Sequence, residues 1–236
     1  MANGRLRGYV GALYRRFWRS TLNWTLWPDP LRVRGYTHCS LARLRALQRH
    51  VATIHRSGIP GVAVECGVAE GGSAAAIALA LQRADDPRPL ILFDTFAGLP
   101  PPSANDPDYD VAVEFTGACA GSVADVRQLF ATLRLPEPVC IPGLFEHIVA
   151  ETETGPIALL HLDGDWYDST MSCLRALWPR LVEGGILQID DYGYWQGCQK
   201  AVTEYLGPQA PLEHIDGVGV WLQKSNRFRV PGDASI

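Results

Sequence analysis

The hydrophobic pattern alternates between two kinds of segment along most of the chain. Short apolar runs rich in Val, Ile and Leu, bounded by Gly, Pro or Asp, predict strands. These runs lie at residues 61–67, 90–94, 139–141, 157–163 and 185–190. Apart from its terminal aspartate, each of the last two contains a single polar residue, which is typical of parallel strands that are covered on both faces.

Longer segments with apolar residues at helical spacing lie between the strands. Helices are predicted at residues 40–58, 71–83, 121–133, 167–181 and 195–206, and an antiparallel strand pair at 212–216 and 218–223. Prolines in the 99–110 segment predict a loop there. The alternation of strands and helices predicts a doubly wound α/β fold, with a mostly parallel sheet and a C-terminal antiparallel strand pair.

Two of the predicted strands end in pairs of carboxylates. Asp163 and Asp165 follow one strand, and Asp190 and Asp191 follow the next. Because adjacent parallel strands end at the same edge of a sheet, all four are expected in one crevice. Like charges this close stay ionised only around a cation, and an oxygen-rich ligand set favours Mg²⁺. The alternative is that these acids cap the following helices, although a cap needs one acid and not four.

A glycine-rich turn joins the first strand to the second predicted helix. Gly67, Gly71 and Gly72 allow the backbone to approach a ligand closely, and Asp94 ends the next strand, where it can bind ribose hydroxyls. Glu65 lies at the same strand end. The spacing differs from the dinucleotide motif and has no phosphate-binding lysine, so a nucleoside ligand is favoured. The alternative is a tight strand-to-helix junction without a ligand.

Composition excludes several classes of protein. The 236-residue chain has a formal net charge of −4, which gives no reason to expect a nucleic-acid partner. Its cysteines are scattered without a C-x-x-C pair, which argues against zinc and against a disulfide framework. No apolar run is long enough for a transmembrane helix and no export signal is recognisable, so a cytoplasmic location is expected.

Four motifs in order carry a family resemblance. They are Glu65-Cys-Gly-Val-Ala-Glu-Gly-Gly-Ser73, Phe93-Asp-Thr-Phe-Ala-Gly-Leu-Pro100, His161-Leu-Asp-Gly-Asp-Trp-Tyr-Asp-Ser-Thr170 and Ile189-Asp-Asp-Tyr-Gly193. With them, residues 36–224 resemble the macrocin O-methyltransferase family, which includes mycinamicin- and novobiocin-pathway enzymes. The resemblance implies a class I methyltransferase (Rossmann-like) fold, S-adenosyl-L-methionine (SAM) as methyl donor and dependence on Mg²⁺. It also implies that the acceptor is a hydroxyl of a deoxysugar or related natural product.

The resemblance also implies roles for individual residues. Asp163, Asp190 and Asp191 match the family's metal ligands, and Asp165 matches its proposed general base. The residues expected to bind SAM are Glu65, Gly67, Ser73, Asp94, Ser122 and Asp163. The chain departs from the family's pattern at residues 36–38 and at His147, where the acceptor enters, so the identity of the acceptor stays open.

Other polar and aromatic residues near the acids have weaker signals. His161 lies inside an apolar strand and is expected to be a hydrogen-bonded core histidine rather than a metal ligand. Trp166, Tyr167, Tyr192 and Trp195 flank the acids, where they either stack on adenine or sugar or pack as core. Ser122 is also expected to cap the helix that follows it.

The first 35 residues differ from the rest of the chain. They carry seven arginines and one acid, interleaved with tyrosine, phenylalanine and tryptophan. We therefore divide the chain into a basic aromatic arm at 1–35 and a SAM-dependent methyltransferase domain at 36–236. The resemblance to lid-bearing, oligomeric relatives favours the arm as a lid or a contact in a homo-oligomer. Peripheral contact with an anionic membrane is the alternative.

The expected function is O-methylation of a sugar or a glycosylated natural product. An un-ionised hydroxyl is a poor nucleophile, so a metal ion that lowers its pKa and an Asp that accepts its proton suit the four carboxylates. A catechol-like phenol is an alternative acceptor, since it too presents vicinal oxygens. A hydrolase or epimerase that uses the same acids, or a SAM-binding protein without catalysis, stays open from the residues alone.

Overall fold

The protein folds around one seven-stranded sheet. The computed structural model describes residues 29–228 and 230. The strands are β1 (Val62–Cys66), β2 (Leu90–Asp94), β3 (Val139–Pro142), β4 (Ile157–Leu162), β5 (Leu181–Ile189), β6 (Glu213–His214) and β7 (Val220–Gln223). Their order is β3-β2-β1-β4-β5-β7-β6. Strands β1 to β5 pair in parallel, while β7 is antiparallel to both β5 and β6. This arrangement confirms the predicted fold class.

Helices cover both faces of the sheet. They are α1 (Asp29–Arg32), α2 (Leu41–Arg56), α3 (Gly72–Arg83), α4 (Tyr109–Ala112), α5 (Val123–Leu133), α6 (Phe145–Ile148), α7 (Tyr167–Leu177) and α8 (Gln196–Leu206). One core joins α2, α3 and α5 to one face of the sheet, and a second joins α6, α7 and α8 to the other. None of the described helices is long and apolar enough to cross a membrane.

The strand order reverses beside β1, which pairs with β2 on one side and β4 on the other. At such a switch point the connections leave in opposite directions, and a crevice opens beyond the carboxyl ends of the strands. The glycine turn after β1 and the carboxylates after β2, β4 and β5 all lie at this edge. The topology therefore brings together the residues that the sequence places far apart.

The predicted elements differ from the observed ones mainly around β5. This strand begins at Leu181 rather than at 185, and α7 ends at Leu177 rather than at 181. Leu181 pairs with Ile157 of β4, and a register shift between Ile157 and Leu159 accommodates the glycines at 184 and 185 within β5. The predicted loop at 99–110 also runs into α4 and a 3-10 turn at Val113–Phe115. Most of the predicted basic arm, residues 1–28, lies outside the described residues.

Candidate active site

A cavity of about 400 Å³ opens at the switch point. Its wall includes the turn after β1, Asp94, Ser73 and the loop after β2. Asp163, Asp165, Asp190 and Asp191 line it from the ends of β4 and β5. The predicted meeting of four carboxylates beside a glycine turn is therefore present in the fold.

The glycine turn is tied to the end of β2. The Asp94 carboxylate accepts hydrogen bonds from the backbone N–H groups of Val68 (2.6 Å) and Ala69 (2.9 Å). Gly67 has φ +91°, and a Cβ there would lie 1.8 Å from the Asp163 carbonyl oxygen. Only glycine fits this approach between the ends of β1 and β4. Asp94 thus shapes the turn while it also faces the cavity.

Three of the four aspartates form an oxygen-rich cluster. Asp163, Asp165 and Asp191 each offer one carboxylate oxygen, and these atoms lie within 4.8 Å of one another. Burial and then the charge of Asp191 raise the pKa values of Asp163 and Asp165 well above their usual range, and burial raises the pKa of Asp191 to about 6. The three negative charges therefore oppose one another, and a divalent cation would relieve the repulsion.

The fourth aspartate, Asp190, is already compensated by protein groups. Arg43 forms an ion pair with its Oδ2 and donates to its backbone oxygen at 3.1 Å. His161 Nε2 lies 3.4 Å from Oδ1, and Cys39 Sγ lies 3.1 Å from Oδ2. Burial alone would raise the pKa of Asp190, but His161 and Arg43 outweigh it and lower the pKa. Asp190 is therefore held as a carboxylate by its neighbours.

Asp165 is held in an unusual conformation. Its φ is +55°, a left-handed backbone that non-glycine residues rarely adopt. Its N–H donates to Asp191 Oδ2 at 3.1 Å, and its Oδ1 accepts from Trp195 Nε1 at 2.8 Å. Trp195 in turn packs edge-on against Trp166, with 4.8 Å between the ring centroids. Asp165 is thus fixed at the cavity wall by two residues of the loop after β5.

Glu65 and Ser122 lie outside the cavity wall, as judged over the described residues. Glu65 is fully buried, and its Oε1 lies 2.8 Å from His161 Nδ1. Ser122 is the N-cap of α5 and forms a capping box with Asp125. His161 is the buried, hydrogen-bonded histidine that the sequence predicts, and it links Glu65 to Asp190.

Sequence reasoning missed Arg43 and Cys39. Arg43 lies on the buried side of α2, one helical turn before Leu47, and its Nε also lies 3.3 Å from Asp216 Oδ2. A basic residue on an apolar helix face signals a buried acidic partner, so the spacing contained a usable hint. Cys39 precedes the helix in a loop, where no pattern marked it.

The fold and the site define the class of the protein, and comparison with known proteins supports that assignment. A solved structure of the O-methyltransferase NovP matches with a TM-score of 0.75 and 30% sequence identity, covering 80% of this chain and 82% of that one. A crystal structure of the calicheamicin methyltransferase CalS11 shares the fold at a TM-score of 0.70 and 21% identity, covering 91% of each chain. The protein is a SAM-dependent O-methyltransferase with a class I fold.

The family follows from the sequence matches. The model of the macrocin O-methyltransferase (TylF) family matches residues 22–224, so the chain belongs to this family. One relative, from Streptomyces olivaceus, is the 8-demethyl-8-(2,3-dimethoxy-alpha-L-rhamnosyl)-tetracenomycin-C 4'-O-methyltransferase, 35% identical over 83% of this chain and 76% of its own. Another is the mycinamicin III 3''-O-methyltransferase of Micromonospora griseorubida, 32% identical over 81% of this chain and 79% of its own.

Proposed function

We propose that the protein transfers the methyl group of SAM to a sugar hydroxyl of a glycosylated natural product in a Mg²⁺-dependent reaction. The four-aspartate crevice beside the glycine turn is the observation on which this proposal rests. The name of the Streptomyces olivaceus relative includes a rhamnosyl group and a 4'-O-methyl transfer, which fits a sugar acceptor.

The cavity entrance favours a neutral acceptor with an apolar part. Tyr194 is 57% exposed and Leu144 is 38% exposed at this entrance. Among the described residues, Arg43 is the one arginine or lysine that lines the cavity, and it is paired with Asp190 and Asp216. A nucleotide-linked sugar would bring a diphosphate to this acidic wall. A finished glycoside avoids that repulsion and places apolar surface against Tyr194.

The donor set fits a Mg²⁺ ion, because crowded carboxylates with raised pKa values gain from a hard cation. Asp163, Asp190 and Asp191 would hold it, and Asp165 would act as general base. Asp165 is the alternative third ligand. Its carboxylate clusters with Asp163 and Asp191, whereas Asp190 is engaged by Arg43. When bound, the ion would lower the pKa of the acceptor hydroxyl.

The residues of the chain account for the remaining requirements of methyl transfer. Gly67, Ser73 and Asp94 would orient SAM along the turn after β1, with Asp163 beside them. Asp165, fixed by Trp195, would accept the proton as the hydroxyl attacks the methyl group in line. The wall formed by Phe115 and Trp195 would keep water from competing for the methyl group.

The test is methyl transfer from isotope-labelled SAM to matched acceptors. A glycosylated natural product, its aglycone and a nucleotide-linked form of the same sugar would be compared, with Mg²⁺ and with a chelator. We expect mass gain on the sugar of the glycoside and loss of activity with the chelator. Labelling of a catechol-type aglycone would favour the phenolic alternative, and SAM binding without transfer to any acceptor would favour a non-catalytic protein.

Tyr194 offers a sharper test of the neutral glycoside. Tyr194→Ala should raise the acceptor KM by about 2- to 13-fold, since it removes an aromatic contact of roughly 0.5–1.5 kcal/mol, while SAM affinity stays the same. Tyr194→Phe keeps the ring and should behave like the unmodified enzyme. An unchanged acceptor KM in Tyr194→Ala would remove this residue from the acceptor site.

A further inference from the structure

A second group of potential metal ligands lies just beneath the acidic cluster. Cys39, His161 and Asp190 are all buried, and each offers one ligand atom within 4.8 Å of the others. They come from three distant parts of the chain: the loop before α2, the middle of β4 and the end of β5. Because the three residues are far apart in the sequence, no C-x-x-C spacing marks them as a zinc site.

The histidine of this group has the support that metal-binding histidines usually have. His161 Nδ1 lies 2.8 Å from Glu65 Oε1, which orients the ring and leaves Nε2 directed toward Asp190. A carboxylate bonded to the second ring nitrogen is the usual outer partner of a metal-bound histidine, since it fixes the tautomer. Glu65 is fully buried, and its Oε2 has no hydrogen-bond partner. Glu65 thus orients His161, and His161 in turn contacts Asp190.

The separations between these atoms are close to those of a tetrahedral site. Zinc bonds of ~2.0–2.3 Å place neighbouring ligand atoms about 3.3–3.6 Å apart. His161 Nε2 lies 3.4 Å from Asp190 Oδ1, which is long for a hydrogen bond and suitable for an edge of such a tetrahedron. Cys39 Sγ lies 3.1 Å from Asp190 Oδ2, a few tenths of an ångström shorter than such an edge, and the three ligand atoms all lie within 4.8 Å of one another.

We propose that Cys39, His161 and Asp190 form a binding site for a thiophilic divalent cation such as Zn²⁺, adjacent to the magnesium position and sharing Asp190 with it. The cation would bond to Cys39 Sγ, His161 Nε2 and one oxygen of Asp190, and the protons of the thiol and of His161 Nε2 would leave to solvent. Asp163 Oδ2, 3.9 Å from Cys39 Sγ, is near enough to serve as a fourth ligand. Arg43 would keep its contacts to Asp216 and to the backbone oxygen of Asp190.

Sulfur and imidazole distinguish this site from the oxygen-only cluster next to it. Thiolate and imidazole ligands select zinc and other transition metals, whereas carboxylates alone suit Mg²⁺. Asp190 belongs to both groups in our proposals, and so does Asp163 where it serves as the fourth ligand. Occupation by Zn²⁺ should therefore withdraw Asp190 from the magnesium position and inhibit methyl transfer; this consequence, unlike the site itself, rests on the proposed function.

Titration of the full-length protein with Co²⁺ tests the site without any substrate. Co²⁺ adopts the same tetrahedral geometry as Zn²⁺ and reports a thiolate ligand by a charge-transfer absorption in the near ultraviolet. We expect this absorption in the unmodified protein and its removal by Zn²⁺, whereas Mg²⁺, which competes for the carboxylates and not for the thiolate, should remove it only at a large excess. Cys39→Ser should abolish this absorption and weaken Zn²⁺ binding at least ~100-fold. Loss of a direct ligand should cost more affinity than loss of a residue that only orients a ligand, which typically costs about 10–100-fold.

Two further variants make the test specific. Cys119→Ser removes the cysteine that lines the cavity and should keep the absorption. Glu65→Gln should retain the thiolate band but weaken Zn²⁺ binding about 10–100-fold. Co²⁺ binding without a thiolate band, or a band that survives Cys39→Ser, would overturn the site. A Cys39-dependent band in a protein that methylates no acceptor would support the site and overturn the proposed function instead.

Discussion

At the residue scale, four aspartates share one crevice but differ in pKa because their neighbours differ. The Asp190 carboxylate contacts His161, Arg43 and Cys39, and these contacts lower its pKa. For Asp163 and Asp165, burial and then the charges of Asp191 and Asp190 raise the pKa values. Identical side chains therefore differ in what they can do: one is a fixed anion, while the others respond to a cation or a proton.

Variants of Asp163 and Asp165 distinguish a metal ligand from a general base. Asp163→Asn should weaken Mg²⁺ binding, and excess Mg²⁺ should restore part of the activity. Asp165→Asn should keep its affinities for Mg²⁺ and SAM while kcat falls by ~10²–10⁴-fold, without rescue by metal. Calorimetry for Mg²⁺ and steady-state kinetics measure both. Rescue of Asp165→Asn but not Asp163→Asn would exchange the two roles.

Asp94 has two roles that mutation can measure together. Its carboxylate holds the turn amides of Val68 and Ala69, and we propose that it also accepts ribose hydroxyls. Asp94→Ala should weaken SAM binding by about 1.5–3 kcal/mol, the usual range for hydrogen bonds to a charged group. Calorimetric titration with SAM measures this, and Asp110→Ala, an exposed change, is the control. An unaltered SAM dissociation constant would exclude Asp94 from the donor site.

At the scale of elements, local sequence was sufficient for most strands and helices. The apolar run of β2 matches its observed bounds, and the predicted N-cap of α5, Ser122, has its hydroxyl bonded to the Asp125 N–H. The start of β5 was wrong by several residues because pairing with β4 overrides the glycines at 184 and 185. Such pairing depends on a partner strand far away in the chain, which local patterns do not contain.

The capping box of α5 allows a test of the second role expected for Ser122. Ser122→Ala should lower the free energy of unfolding by ~0.5–2 kcal/mol, because it leaves a helix N–H unpaired. Asp125→Ala removes the reciprocal bond and is the matched variant. If Ser122 also binds SAM, only Ser122→Ala should weaken SAM affinity. Equal SAM affinities in both variants would leave Ser122 with the capping role alone.

At the scale of the whole molecule, the sheet topology determines which residues meet. The order of β2, β1, β4 and β5 brings Asp94, the glycine turn and both acid pairs to one edge. The sequence was enough to predict this crevice, because parallel strands end together. It was not enough to predict the partners of Arg43 and Cys39, since these depend on how α2 and its preceding loop pack against β4 and β5.

The packing of α2 against the sheet also buries a histidine away from the site. His50 is 5% exposed, its ring lies 4.6 Å from that of Trp221, and its Nε2 has no hydrogen-bond partner. Burial, and then the neighbouring charge of Arg49, lowers its pKa to about 3. His50 is therefore neutral in the folded protein at every pH where the protein is expected to work.

The unfolded chain, by contrast, protonates His50 near its ordinary pKa of about 6.5. Above about pH 6.5, His50 is neutral in both states and does not affect the free energy of unfolding. As the pH falls from about 6.5 toward about 3, only the unfolded state gains the proton, so the folded protein loses stability. The difference should amount to ~2 kcal/mol at about pH 5. Urea unfolding over this range measures it. His50→Phe should flatten the acid dependence by that amount, whereas the exposed His147→Gln should leave it unchanged. Equal acid sensitivity in His50→Phe and the unmodified protein would assign the loss to other groups.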